Sequence, residues 1–131
     1  MHRSRIGVVL IDHPEDVYDT AAAFWSGVSG HGLDTTADTP PSDEPYESLG
    51  LLGGGVRLEL QRTGTGTTAR VHLDIETDDV APETSRLVAL GASVVEERKG
   101  YRIMADPGGL LFCVVPVQTD DFDRHAVTWP R

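Results

Sequence analysis

The chain has 131 residues, ordinary apolar content and a formal net charge of −10, which fits one small domain with its own core. The acidic balance argues against a nucleic acid partner, because phosphate binding needs clustered Lys and Arg. No apolar run approaches the ~18 residues of a membrane span. A secretory signal is not expected either, because Asp12 ends the first apolar run early. The single cysteine, Cys113, rules out an intrachain disulfide and indicates a reducing, cytoplasmic setting.

The first half of the chain is predicted to form a strand, a helix and two further strands. Residues 6–12, IGVVLID, are a short β-branched run typical of a buried strand. The helix that follows ends at Gly30. Its apolar residues fall on one face, which is the predicted core face: Val17, Ala21, Phe24, Trp25 and Val28. Proline-rich residues 34–45 predict a loop, and strands at 46–52 and 56–62 flank a turn of three glycines.

The second half repeats this order with one more strand. Residues 70–76 form a strand, and residues 77–91 form a helix with Val80, Leu87 and Leu90 on its core face. Three strands joined by short turns complete the half, at 92–98, 101–105 and 110–117. The polar tail, residues 118–131, either drapes over a partner surface or frays.

The repeat predicts a single domain over residues 1–131 built from two similar modules. Module one covers about residues 5–62, and module two covers about residues 69–117. YESLGLLGGGVRLEL in the first echoes YRIMADPGGLLFCVV in the second. A sheet of this kind has one face on its helix and one face free. Alternation along residues 70–76 turns Arg70, His72 and Asp74 to the free face, so two facing half-sheets would form a cup lined by polar side chains.

Four segments in this order resemble the glyoxalase-like branch of the vicinal oxygen chelate superfamily, which includes glyoxalases, bleomycin resistance proteins and dioxygenases. They are AFWSGVSG, RVHLDIETDD, RLVALGASVV and ADPGGLLFCVV. The resemblance extends from Ile6 to about Val117. It implies an α+β fold of two βαβββ modules that curl into an open, cup-like half-barrel.

The resemblance also implies where a metal would bind. Metal-dependent members hold one divalent ion through one side chain from the first and last strand of each module. Here these positions fall near Gly7 or Val8, on Glu59, on His72 and on Cys113. Glu59, His72 and Cys113 together are reasonable ligands for zinc or nickel, whereas a thiolate suits Mg²⁺ poorly. Against a metal, Cys113 lies in an apolar strand, where cysteine usually packs as a small hydrophobe.

His72 and Glu59 are the candidate catalytic residues, as ligand, general base or orienting carboxylate. Gln61, Arg70, Asp74 and Tyr101 are candidates for contacts to a bound ligand. Simpler roles stay open for several of them. His72 could be satisfied by Asp74 or a backbone carbonyl, and Arg70 could pair with Asp74 along the strand.

Three functions remain open on the sequence. The first is a protein that binds a small organic molecule in the cup without the four-ligand metal site. The second is a divalent-metal-dependent lyase, isomerase or dioxygenase that uses His72 and Glu59. The third is an interaction domain whose cup is vestigial. Because a half-barrel leaves sheet edges open, we expect a symmetric homodimer.

Overall fold

The computed structural model describes residues 1–30 and 45–130, so most of the predicted loop at 34–45 lies outside the described residues. In these described ranges eight strands and three helices follow one another. They are β1 (His2–Pro14), α1 (Glu15–Ser29), β2 (Tyr46–Leu51), β3 (Arg57–Thr63), β4 (Arg70–Thr77), α2 (Val80–Ala89), β5 (Ser93–Arg98), β6 (Tyr101–Ala105), β7 (Leu111–Pro116), α3 (Phe122–His125) and β8 (Val127–Trp129). A 3₁₀ turn at Gly53–Gly55 joins β2 to β3.

The strands form one mixed, open sheet in the order β2-β3-β1-β4-β7-β6-β5, and β8 adds to β1. Each module opens with a strand that lies parallel to its own last strand, β1 to β3 and β4 to β7. The two modules join where β1 and β4 pair antiparallel. The α+β fold predicted from the sequence is confirmed. Module two is complete as strand, helix and three strands, and the described part of module one gives strand, helix and two strands.

The strand registers of the two modules are equivalent, and they determine which side chains each module places in the cup. In module one Leu10 lies opposite Glu59, and in module two Asp74 lies opposite Cys113. Across the junction, Leu10 lies opposite His72 and Val8 opposite Asp74. Because side chains alternate along a strand, Leu10, His72 and Asp74 all belong to one face of the sheet.

The core face of α1 differs from the predicted one. Tyr18 and Ala22 are buried, whereas Phe24 and Val28 are each 62% exposed and Val17 is 43% exposed. Trp25 is partly buried against the core. Two polar partners hold Tyr18 in place: the Arg62 guanidinium stacks 4.0 Å from its ring, and its hydroxyl donates to Glu47 at 3.1 Å. The buried face of α1 is therefore the one that contains Tyr18 and Ala22, and not the predicted apolar face.

The second helix and the tail also differ from expectation. Leu90, predicted on the core face of α2, is 69% exposed, while Glu83 is fully buried. The Glu83 carboxylate accepts hydrogen bonds from Arg86 at 2.6 Å and contacts His2 Nε2 at 3.1 Å.

The tail does not fray in its described part, because β8 pairs with β1 and Trp129 Nε1 donates to Ser4 Oγ at 2.9 Å. None of the helices in the described ranges is long and apolar enough to cross a bilayer.

Candidate functional site

The free face of the sheet encloses a cavity of about 700 Å³. All of the residues predicted to form the site line it: Glu59, Gln61, Arg70, His72, Asp74, Tyr101 and Cys113. Apolar and aromatic side chains complete the lining, including Leu10, Tyr46, Ile103, Leu111, Phe112 and Val115. The cavity is thus amphipathic, because ionisable groups from β3 and β4 line it together with hydrocarbon side chains and rings.

A buried carboxylate on β1, Asp12, holds the imidazole of His72. His72 Nδ1 lies 2.6 Å from Asp12 Oδ2, and Asp12 is fully buried. Because a carboxylate accepts and does not donate, Nδ1 carries the proton and Nε2 is left for other contacts. The partner of His72 is therefore neither Asp74 nor a backbone carbonyl, the two that the sequence suggested.

Asp12 was missed as a site residue because it ends an apolar run and was interpreted as a strand terminus. The alternation Val8, Leu10, Asp12 was the signal that could have found it, since these positions share one face of β1. Arg70 also turns to this carboxylate, with Nε 3.3 Å from Asp12 Oδ2, so the ion pair expected between Arg70 and Asp74 does not form. Within residues 1–30 and 45–130, Asp12 Oδ1 has no hydrogen-bond partner although it is buried.

His72, Asp74 and Cys113 bring one donor atom each to within 4.8 Å of one another. His72 Nε2 lies 3.8 Å from Asp74 Oδ1. Glu59 does not join this group among the residues that the structure describes, and its carboxylate lies 3.9 Å from Arg57 Nη1. The donor cluster therefore differs from the one inferred from the sequence, with Asp74 in the place of Glu59.

Burial makes these groups harder to ionise. It raises the pKa of Asp74 to about 6, where the neighbouring His72 lowers it and the charges of Glu59 and Asp12 raise it further. It raises the pKa of the Cys113 thiol to about 11, again with a contribution from Asp74. The pKa of Glu59 is raised by burial and lowered in part by Arg57. Near neutral pH the Cys113 thiol is therefore protonated, and Asp74 titrates close to the physiological range.

The rim of the cavity is aromatic and polar. Gln61 Nε2 donates to the Tyr46 hydroxyl at 3.1 Å, and Tyr101 lines the same cavity from β6. Burial raises the pKa of Tyr46, and the charge of Asp74 adds to this. Tyr46 therefore stays protonated at physiological pH, and both tyrosines offer a ring that can stack on a ligand and a hydroxyl that can hydrogen-bond to it.

The donor cluster fits a divalent ion of intermediate softness. An imidazole nitrogen, a carboxylate oxygen and a thiolate are all zinc ligands, and three protein ligands leave one position open for water or substrate. Asp12 supplies the outer carboxylate that usually orients a metal-binding histidine. The fourth position implied by the resemblance falls near Val8, which is 1% exposed and offers no donor side chain.

Comparison with known proteins identifies the family. No curated protein sequence matches the chain. Several solved structures share the fold, including the following three. A chain described as NAD-dependent benzaldehyde dehydrogenase from Legionella pneumophila has a TM-score of 0.57 at 11% identity, over 85% of this chain and 98% of that one. Methylmalonyl-CoA epimerase from Streptomyces coelicolor, in complex with 2-nitronate-propionyl-CoA, gives 0.52 at 15% identity, over 88% and 96%.

The third structure is a member of the glyoxalase/bleomycin resistance protein/dioxygenase superfamily from Vibrio splendidus 12B01. It gives a TM-score of 0.51 at 20% identity and covers 87% of this chain and 97% of that one. Likeness at these identities shows the fold alone. The model of the glyoxalase-like domain family matches residues 8–115, which include most of both modules and the cavity lining from Leu10 to Val115. This chain therefore belongs to the family of glyoxalase-like domains.

Proposed function

We propose that this protein binds a small organic molecule in its cup and does so without the four-ligand metal arrangement of the superfamily. One observation carries the proposal: an amphipathic cavity of about 700 Å³ in which the predicted contact residues converge. Cavities of roughly 300–1,000 Å³ suit drug-sized ligands. One of the four superfamily positions falls near Gly7 or Val8 and another falls on Cys113, so the arrangement lacks its usual donors at both.

The apolar and the polar side chains of the cup would have different roles in recognition. Tyr46, Tyr101 and Phe112 offer flat surfaces for an aromatic or aliphatic body of the ligand. Gln61 and Arg70 line the same cavity and can hydrogen-bond to polar substituents. A ligand with one apolar and one polar side would therefore match the cup better than a uniformly polar one.

The charges of the cup favour a ligand with a positive nitrogen. Arg57 lies beside Glu59, and Arg70 beside Asp12. In the described part of the chain Asp74 forms no ion pair with Lys or Arg, and its ion-pair contact there is with the His72 ring, at 3.8 Å. A cationic group of the ligand near Asp74 would supply the missing countercharge.

A melting experiment tests this proposal. Matched aromatic compounds that differ only in a cationic, neutral or anionic substituent would be added to the protein in the presence of a chelator. A compound at 100 times its Kd stabilises the fold by about 2.7 kcal/mol. We expect the cationic series to give the largest shift and Tyr101→Ala to reduce it, while Glu97→Gln on the exposed edge strand serves as control. If no compound shifts the melt, the cup does not bind this class, and the vestigial interaction domain becomes the better explanation.

A divalent-metal-dependent lyase, isomerase or dioxygenase is the second candidate function, with His72 and Glu59 as the acting residues. The contact between Asp12 and His72 favours it, because this pairing leaves Nε2 turned away from β1 with its lone pair free. A bound ion would polarise a substrate carbonyl as a Lewis acid. The test is solvent deuterium incorporation next to the carbonyl of small ketones with added Zn²⁺ or Ni²⁺, together with oxygen uptake on catechols. His72→Gln should abolish either reaction, and inactivity of the metal-loaded wild type in both assays would remove this candidate.

A homodimer in a reducing, cytoplasmic setting completes the proposal. β2 and β5 are the two edges of the open sheet, and all of β5 is exposed, so a second copy could cover an edge. Sedimentation equilibrium of the full chain under reducing conditions decides this point. A monomer at all accessible concentrations would contradict it.

A further inference from the structure

We propose that Gln118, a residue of the tail, is a specificity-determining contact in the cup. It selects ligands whose cationic group carries N–H donors, such as an ammonium or an amidinium, over quaternary ammonium compounds. This inference rests on the proposed function, because it names the chemistry of the cation that the cup would bind. Gln118 lines the cavity although it lies outside both repeated modules, and the sequence assigned no residue of the tail to the site.

The path of the chain brings Gln118 to one end of the cavity. At the ends of β4 and β7, Glu76 lies opposite Val115. The chain then leaves the sheet, and the backbone amide of Gln118 donates to Glu76 Oε2 at 2.9 Å. Along β4, Asp74 is two residues from Glu76, whereas Arg70 is six residues away, roughly 20 Å in an extended strand. Gln118 therefore enters the cup at the end that is nearer to Asp74.

A buried network holds the backbone at this point. The fully buried Glu76 carboxylate also accepts hydrogen bonds from the Thr119 amide at 3.0 Å and from the Thr119 hydroxyl. Arg5 Nη2 donates to that hydroxyl at 2.6 Å, so β1 is part of the same network. Gly7 leaves room for it, because a side chain at this position would overlap Glu76 Cδ. The backbone of Gln118 is therefore fixed before any ligand binds.

The side chain of Gln118 is available, in contrast to its backbone. The residue is exposed, and within residues 1–30 and 45–130 its amide group makes no side-chain hydrogen bond. A primary amide has an oxygen that accepts and two N–H groups that donate. A ligand could therefore use this group without breaking an internal hydrogen bond. A fixed backbone that carries such a side chain also lowers the entropic cost of the contact.

The neighbouring groups at this end of the cup are acceptors, and they decide which cation fits. Asp12 takes the proton of His72 Nδ1, which leaves Nε2 with its lone pair, 3.8 Å from Asp74 Oδ1. With the Gln118 oxygen, a ligand meets an imidazole nitrogen, a carboxylate and an amide oxygen. An ammonium or amidinium can donate to several of these. A quaternary ammonium supplies the charge but no N–H, so it would bury acceptors without partners, which is costly.

Titration calorimetry of the full chain with a chelator present tests the proposal. The two probes are 2-naphthylmethylammonium and its N,N,N-trimethyl analogue, and the measured quantity is the ratio of their dissociation constants. We expect the wild type to prefer the ammonium probe. Gln118→Leu has a similar volume and no hydrogen-bonding group, and it should reduce this preference roughly 10-fold. The control is Asp120→Asn, on an exposed tail residue that is not among the described residues lining the cavity, and it should leave the ratio unchanged.

The outcomes separate this inference from the proposed function. If the wild type binds the ammonium probe and Gln118→Leu keeps the ratio, the role of Gln118 is overturned while the proposed function stands. A wild type that prefers the trimethyl probe overturns it as well. If neither probe binds the wild type, the proposed function fails for this class of ligand and the inference fails with it. Ligand-free melts confirm that each variant folds, and Gln118→Ala, a second replacement without an amide, should lower the ratio too.

Discussion

Two pairs of carboxylates in this protein differ in what surrounds them. Glu76 is fully buried and accepts hydrogen bonds from Arg5 Nε at 2.9 Å, from the Gln118 and Thr119 amides at 2.9 and 3.0 Å, and from the Thr119 hydroxyl. Burial alone would raise its pKa, but these donors more than offset burial, and the pKa is lowered. Glu83 behaves in the same way, through hydrogen bonds from Arg86, Ser4 and His2.

Asp74 and Glu59, which line the cavity, show the opposite behaviour. Burial raises the pKa of each, and the cations nearby do not compensate for it. The difference is therefore in the supply of donors and not in burial. Carboxylates with a complete set of partners hold strands and tail together, whereas those with an incomplete set mark the place where a ligand or ion can supply the missing charge.

The largest expected effect on stability comes from replacing Glu76, a carboxylate whose set of hydrogen-bond donors is complete. Glu76→Gln removes the charge that satisfies Arg5, whose side chain is 7% exposed, and we expect a loss of about 3–5 kcal/mol in the free energy of unfolding. Urea denaturation of the full chain measures it. The matched control is Glu97→Gln, whose side chain is 72% exposed and should change stability by less than about 0.5 kcal/mol. A small effect at Glu76 would mean that the network is not stabilising.

Glu83→Gln tests the same principle on the helix and adds a pH signature. We expect a loss of about 2–3 kcal/mol at pH 7, because Arg86 and His2 lose a charged acceptor. The pKa of Glu83 is lowered in the folded state, so the unfolded state binds more protons as pH falls. The advantage of the wild type is therefore complete above the unfolded pKa of 4.5 and disappears as pH falls through the folded value. A difference between the two proteins that is independent of pH would contradict this assignment.

Asp74→Asn should do the reverse and stabilise the metal-free, ligand-free protein. The pKa of Asp74 rises from 3.8 to about 6 on folding, so the ionised form at pH 7 costs up to about 3 kcal/mol, and the neutral amide avoids this. The folded state binds more protons between these two values, so wild-type stability from this group falls as pH rises from about 4 to 6. Melts at pH 4 and pH 7 should show the gain vanishing at the lower pH. Destabilisation at pH 7 would show that Asp74 has a partner of its own.

The smallest expected effect is at the tail. Trp129→Phe keeps most of the ring that stacks 3.8 Å from the Arg86 guanidinium but removes the hydrogen bond to Ser4. We expect a loss of about 0.5–1.5 kcal/mol. Thermal melts compare it with Trp129→Ala, which should cost more because the stacking is lost too. Equal effects of the two substitutions would mean that the hydrogen bond dominates.

Most strands could be predicted from the sequence to within a residue or two, because alternation and glycine turns are local signals. The predicted strand at 101–105 is β6, and the run at 110–117 contains β7. The cup face of β4 also followed from alternation, so that Arg70, His72 and Asp74 were predicted together and all line the cavity.

Other features depend on contacts between distant segments and had no local signal. Phe24 and Tyr18 both suit a helix stripe, and the position of Arg62 and Glu47 in space decides that Tyr18 is buried. The partner of His72 lies 60 residues away on β1, and only the antiparallel register of β1 and β4 brings Asp12 to it. The pairing of β8 with β1 likewise depends on the folded sheet and has no local signal in the sequence.

The strand β1 pairs with three others: β3 of its own module, β4 of the second module, and β8 of the tail. Backbone hydrogen bonds of β1 therefore connect both modules and the tail. Neither module can open without breaking hydrogen bonds to this one strand. Native-state hydrogen exchange should show its central amides as the slowest in the chain, exchanging only through global opening. The duplicated architecture should accordingly unfold as one cooperative unit, with no half-folded species at equilibrium.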